Sequence, residues 1–313
     1  MPRTDERQKP VDGRTNVDGR SAPISRHTQI KKSLCDQIQK RPGIQDQREL
    51  LMRVRVIAID WSGDRKNAHK KIWLGEVVAG QLRRLESGWN QEGIAGHLLN
   101  LAEQNLKMVI GLDFAFSFPA WFFTEHNLET VHALWGLVGR EGEKWLAECQ
   151  PPFWGREGHP RLLSPDRRFR RTESTTPTTT GIRPKSVFQI AGAGAVGTGS
   201  LRGMSLLHRL HQAGFSVWPF DPPGWPRVIE IYPRLLTGVV NKSDRTDRTR
   251  YLREQYPSID EPLHETAASC EDAFDAAVSA LIMDKDLDEL LALTPTTDPQ
   301  TKLEGHIWCP QTQ

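Results

Sequence analysis

Two short apolar runs, each closed by an aspartate, constrain this chain more than any other feature. "VRVIAIDWSG", residues 54–63, is brief and β-branched and ends at Asp60 before a Ser-Gly turn. "MVIGLDFAFSFP", residues 108–119, repeats the pattern and ends at Asp113 before an aromatic loop. Runs of this length and make-up are buried strands. Between them lie "KKIWLGEVVAG" and "QLRRLESGW", two further strands with Gly80 at a tight hairpin. "QEGIAGHLLNLAEQN" follows, a helix with apolar positions three and four apart. Three strands joined by short turns make an antiparallel meander, and the fourth, returning after a helix, can lie parallel to the first. If the first and fourth are neighbours, Asp60 and Asp113 share the C-terminal edge of the sheet, where open α/β sheets place ligands.

The rest of the 313 residues divides unevenly. Residues 1–50 are polar and almost free of aromatics, which predicts a disordered, mildly basic extension. An ordered domain is expected over 51–290, with an insertion over about 119–185 and a C-terminal tail over 291–313. The insertion opens at Pro119 with helical, aromatic sequence (Trp121, Phe122, Phe123, Trp135, Trp145) that reads as core or lid. It closes with "RRFRRTESTTPTTTGIRPKS", a long basic, threonine-rich loop. "SVFQIA", "FSVWPFD" and "RVIEIYP" read as short strands, and "KSDRTDRTRYLREQY" as an exposed helix. "ASCEDAFDAAVSALIMDKDLDELL" is the clearest helix, with a tight alanine-rich buried face.

Bulk properties exclude several classes. A net charge of +2 rules out a polycation, so any nucleic-acid contact must be a local patch. The four cysteines (Cys35, Cys149, Cys270, Cys309) form no C-x-x-C and have no histidine at zinc-finger spacing, as expected of reduced thiols. No apolar run approaches the roughly 20 residues of a membrane span, and the N-terminus has no signal-peptide core. A cytoplasmic protein with no membrane contact is the expectation.

The acids carry the chemistry. Besides Asp60 and Asp113, Asp272 and Asp275 share one face of the last long helix, and Glu230 sits inside the apolar "VIEIYP". A carboxylate in an apolar strand is costly unless paired or bound to a cation. Clustered carboxylates also raise one another's pKa, a cost that a divalent ion removes. Oxygen ligands without histidine or cysteine point to Mg²⁺ or Mn²⁺; a structural acid network is the competing reading.

As a set, "AIDWSG", "IGLDFAFSFP", "FRRTE", "PKSVFQIAGAGAVGTGSL", "VWPFD", "EIYPRLLTG", "KSD" and "CEDAFDAAVSALIM" resemble the domain-of-unknown-function family 429, predicted nucleases, over residues 54–284. The resemblance implies an RNase H-like, resolvase-like mixed sheet flanked by helices, with the helical insertion after the fourth strand. It implies a metal-dependent nuclease in which Asp60 bridges two metal ions, Asp113 is the fourth-strand ligand, and the last helix supplies Asp275 with Asp272 one turn earlier. Glu230 has no secure counterpart and is either a further ligand or a substrate contact. Two such ions activate water and stabilise the leaving oxygen of a phosphodiester.

A nucleic-acid substrate, DNA or RNA, needs cationic contacts. Candidates are Arg167, Arg168, Arg170 and Arg171, then Lys185 and Lys242; for the arginines a solvated face is the alternative. Trp61, Phe114 and Phe116 either stack on bases or belong to the core. Gly192, Gly194 and Gly197 spell G-x-G-x-x-G, with Asp221 near the place of a ribose-binding acid. In mid-domain, with no second set of parallel strands after it, the loop reads as a tight turn or an anion nest for phosphate before it reads as an NAD site. A non-catalytic RNase H-like module that binds nucleic acid or nucleotide is the alternative to the nuclease.

Overall fold

The run ending at Asp60 is a strand, β1 (Arg55–Asp60), and the run before Asp113 is another, β4 (Met108–Leu112). The computed structural model describes residues 54–104, 106–176 and 183–310. The expected disorder of residues 1–50 therefore lies outside the described residues, as does the middle of the threonine-rich loop. Helix α1 (Ala68–Lys71) leads into β2 (Trp73–Val78), and β3 (Gln81–Glu86) follows the hairpin. Ala79 and Gly80 have φ of 52° and 76°, the left-handed pair that a two-residue hairpin needs to match strand twist. Helix α2 (Gln91–Glu103) is capped by Asn90, whose side chain accepts from Gly93 N at 2.7 Å. It returns the chain so that β4 pairs parallel to β1, while β1–β2 and β2–β3 are antiparallel.

The insertion holds α3 (Ala120–Glu125), α4 (Val131–Glu148) and α5 (Arg171–Thr175), followed by α6 (Gly197–Gln212). Two strands complete the sheet, β5 (Ser216–Val217) and β6 (Arg227–Glu230), in the order β3-β2-β1-β4-β6-β5. The chain ends in α7 (Pro233–Thr237), α8 (Arg245–Gln255), α9 (Glu261–Ser269), α10 (Glu271–Lys285), α11 (Leu287–Ala292) and α12 (Pro299–Glu304). The result is a mixed α/β fold with helices on both faces of a six-stranded sheet.

Alternation along the strands sorts residues between two cores. Val56, Ala58, Val109 and Ile229 pack with α10, whereas Ile57, Ile59, Ile110, Leu112 and Val228 pack with α2, α4 and α6. Every residue of α10 from Ala273 to Met283 is buried. Two strand glycines let it lie this close. A Cβ on Gly75 would come within 2.6 Å of Ala276 O, and one on Gly111 within 2.6 Å of Met283 Sδ.

Three local expectations are corrected. "SVFQIA" is a turn with one isolated bridge, Gln189 to Trp154, because Val187 and Phe188 are spent on packing with the insertion's aromatics. "FSVWPFD" yields a two-residue strand, since Pro219 has no N–H to continue a ladder. The segment read as a C-terminal tail docks through residue 310: Trp308 is buried, and its N–H donates to Glu230 O at 2.9 Å. The aromatic stripe is core, with Phe122, Phe123 and Trp135 buried and Trp121 and Trp145 packed against them.

Candidate carboxylate site at the sheet edge

Alternation also places the acids. Asp60 follows Val56 and Ala58 in period two, and Asp113 follows Val109 and Gly111, so both side chains face α10. Asp113 N donates to Ile59 O at 3.2 Å, which sets the two strand ends side by side. On α10, Asp275 is buried and Asp272, one turn earlier, is half-buried. Cys270 caps this helix, its Sγ accepting from Ala273 N at 3.4 Å.

The electrostatics are those of crowded, desolvated acids. Burial first, then the Asp113, Asp275 and Asp272 carboxylates, raise Asp60 well above the usual range. Burial and Asp275 push Asp113 up to about 7, opposed by the Lys242 ammonium and by a side-chain hydrogen bond with Asp60. Burial raises Asp275 as well, opposed by the Lys242 ammonium, and burial with Glu271 raises Asp272.

Lys242 is the unexpected member. Proposed from sequence as a substrate contact, it is instead buried and ion-paired with Asp275 Oδ2. One ammonium does not balance four carboxylates, and Asp275 Oδ1 is buried with no hydrogen-bond partner. An orphaned carboxylate oxygen among all-oxygen donors fits a hard divalent cation. The set is open: no three of Asp60, Asp113, Asp272 and Asp275 bring ligand oxygens within 4.8 Å of one another, so the acids must draw together to hold an ion.

A cavity of about 680 Å³ opens beside Asp113, which lines it together with Glu230, Glu173 and Arg170; Asp60, Asp272 and Asp275 do not line it. Tyr232 and Lys185 also line it, with the glycine loop along one wall (Gly192, Val196, Thr198, Gly199). Gly192 and Gly194 have φ of +83° and +75°, and Gly197 begins α6 where a Cβ would lie 2.3 Å from Val187 O. All three glycines are therefore demanded by the backbone. The strand that a dinucleotide fingerprint requires before this loop is absent. Asp221, the would-be ribose acid, accepts instead from His132, His211 and Val217 N. The NAD reading loses both of its premises.

Glu230 is corrected too. It shares the face of Val228, opposite Asp60 and Asp113, and both of its oxygens bind Arg170. Arg170, a candidate nucleic-acid contact, is 1% exposed and also donates to Glu173 and Glu304 O. Arg171 pairs with Asp298, Arg167 stacks over Trp121 and pairs with Glu125, and Arg168 donates to Leu163 O. Of the proposed cations Lys185 is exposed at the cavity. Trp61 and Phe114 are buried wall residues with ring centroids 5.4 Å apart, and Phe116 is core.

Tyr232 and Lys71 were not foreseen. Tyr232 lines the cavity with its phenol pushed up by burial and by Asp113; Lys71 lines it too and pairs with Asp64 at 3.0 Å. Tyr232 lies two residues past Glu230 at a strand end, a position that signals an edge residue; Lys71 gives no sequence signal. Among the described residues no helix is long and apolar enough to cross a membrane. In comparisons with known proteins, no family model, curated protein or solved structure matches the chain.

Proposed function

We propose that this chain is a divalent-metal-dependent nuclease of RNase H-like fold, of the family-429 kind its motifs resemble. One observation carries the reading: Asp60, Asp113 and Asp275 converge on one desolvated sheet edge with more negative charge than Lys242 offsets, leaving Asp275 Oδ1 unpartnered. The strand order, with an antiparallel β1–β2–β3 meander and β4 parallel to β1, supports the fold assignment.

Asp60, Asp113, Asp275 and Asp272 would hold Mg²⁺ or Mn²⁺. When bound, such ions supply an activated water and compensate charge on the leaving oxygen of a phosphodiester. The chain's own groups do the rest. Asp60 and Asp113, whose carboxyls burial and neighbouring acids raise, would give up their protons to solvent as a cation binds. Lys242 holds Asp275 in place and limits repulsion within the set. Lys185, Lys71 and the glycine loop line the cavity where an anionic nucleic-acid backbone would lie. Trp61 and Phe114 give that cavity an apolar wall that excludes water.

The test is a calorimetric Mn²⁺ titration beside cleavage assays on single- and double-stranded DNA and RNA, for wild type, Asp60→Asn and Asp275→Asn. Saturable Mn²⁺ binding and cleavage in wild type, both lost in the variants, supports the reading. Cleavage undiminished in folded Asp60→Asn overturns it. The Lys242–Asp275 pair and the raised Asp60 and Asp113 carboxyls leave the resting site partly self-neutralised, which favours a second reading, a nucleic-acid- or nucleotide-binding module without cleavage. Metal-independent binding of those ligands with no hydrolysis would select that second reading.

A further inference from the structure

We infer that His132, His211 and Asp221 form a site for a zinc-class transition-metal ion, separate from the acidic edge and independent of the nuclease reading. The Asp221 carboxylate accepts from His132 Nε2 at 2.9 Å and from His211 Nδ1 at 3.2 Å, one ring on each oxygen. The two rings stack with centroids 4.0 Å apart and 18° between their planes, each with one nitrogen on the Asp221 carboxylate. The three ligand atoms lie within 4.8 Å of one another. Zinc bonds of about 2.0–2.2 Å in tetrahedral array put ligand atoms about 3.3 Å apart, so the stacked rings must tilt open to bring both in-plane lone pairs onto one ion.

The donor chemistry selects the ion. Two imidazole nitrogens and one carboxylate oxygen suit Zn²⁺ and leave a fourth position for water, whereas the oxygen-only acids of the sheet edge suit Mg²⁺ or Mn²⁺. In the resting site the inner nitrogens donate to Asp221, so binding an ion requires each inner proton to pass to the outer ring nitrogen or to solvent.

The site is also built. His132 comes from α4 in the insertion, His211 from α6, and Asp221 from the loop after β5, 89 positions from His132. Val217 N donates to Asp221 Oδ2 at 2.9 Å and fixes that carboxylate. Trp135 meets His132 edge-on with centroids 5.1 Å apart and lies 6.0 Å from His211. Such outer contacts orient metal ligands. Both histidines are about one-third exposed, so an ion can enter from solvent. His208, one turn before His211, brings a further imidazole whose Nδ1 is buried without a hydrogen-bond partner. An ion here would tie the insertion to the rim of the sheet at β5.

The other close group, Glu261, His264 and Glu265, differs in both respects. It lies on the single helix α9, and its glutamates are already paired with Arg253 and Arg245.

The experiment is a calorimetric Zn²⁺ titration of the full chain, with thermal melts, for wild type, His132→Ala, His211→Ala and Asp60→Asn. The expected result is one equivalent bound in wild type and in Asp60→Asn, with affinity at least about tenfold lower in each histidine variant, since losing even an outer partner costs about 10–100-fold. Zn²⁺ should raise the melting temperature of wild type and of Asp60→Asn only. Because a histidine variant can fail to fold, Co²⁺ is added to wild type as a second readout. Visible d–d bands of tetrahedral intensity, displaced by Zn²⁺, support the site. No saturable Zn²⁺ binding in wild type, undiminished binding in folded histidine variants, or no such Co²⁺ bands overturns it. Loss of Zn²⁺ binding in Asp60→Asn alone also overturns it, because the ion would then belong to the acidic edge.

Discussion

The Lys242 ammonium is ion-paired with the Asp275 carboxylate, and both side chains are almost wholly removed from solvent. The pair joins the loop before α8 to the first turns of α10 and supplies a fixed positive charge beside Asp60 and Asp113, whose pKa values it lowers against the trend of their surroundings. On the metal-site proposal it is half of a charge balance that a divalent ion would complete.

Lys242→Met leaves Asp275 buried and unpaired. Breaking a buried pair from one side costs about 3–5 kcal/mol. Urea unfolding at neutral pH should show a loss of that order. Mn²⁺ should restore more stability to Lys242→Met than it adds to wild type, because the ion then offsets a larger uncompensated charge. Equal Mn²⁺ stabilisation of the two proteins would contradict the role given to Lys242.

The acids predict a pH dependence. Asp113 titrates near 7 in the folded protein and near 3.9 unfolded, so the folded state holds the proton longer. Stability attributable to this proton is present below about pH 4 and is lost as pH rises towards about 7, with a slope of at most about 1.4 kcal/mol per pH unit. Subtracting the metal-free profile of Asp113→Asn from that of wild type should isolate the slope. Saturating Mg²⁺ should flatten it. A wild-type profile that rises relative to Asp113→Asn between pH 4 and 7 would contradict the assignment.

Glu230→Gln separates structural from ligating acids. It removes half of the charge that holds Arg170, a guanidinium with no exit to solvent. A loss of about 3–5 kcal/mol in urea is expected. Mn²⁺ affinity of the folded variant should stay within about twofold of wild type, because Glu230 faces the opposite core. A collapse of Mn²⁺ binding in folded Glu230→Gln would return Glu230 to the ligand set.

Gly75→Ala probes how α10 is seated. The added methyl meets Ala276 O at 2.6 Å, next to Asp275, so the helix must move outward. Overpacking of this kind costs about 1–3 kcal/mol. The variant should unfold at lower urea and bind Mn²⁺ more weakly, although the substituted residue touches none of the proposed ligands. Gly80→Ala, at the exposed hairpin, should lose stability through its positive φ alone and keep Mn²⁺ affinity.

Local sequence determined the parts of this fold that depend on short-range regularities. The β-branched runs at 54–60 and 108–112, the helical spacing of 91–103 and the alanine-rich 271–285 all form the elements their patterns require. Asp60 and Asp113 fall at strand ends for the same reason. Period two puts Glu230 with Val228, but the β4–β6 pairing decided which core that face meets, so sequence alone left Glu230 among the candidate ligands. Tertiary structure alone decided the partners. Arg170 reads as one of several basic residues until α5, β6 and the docked C-terminal segment enclose it with Glu173, Glu230 and Glu304 O. Lys242 reads as a cationic substrate contact until α10 brings Asp275 against it. His132, His211 and Asp221 share no motif, because two helices and a loop must pack before their rings and carboxylate meet. Burial of charge is a property of the assembled elements, and the cost of desolvation that selects each partner arises only when those elements close over it.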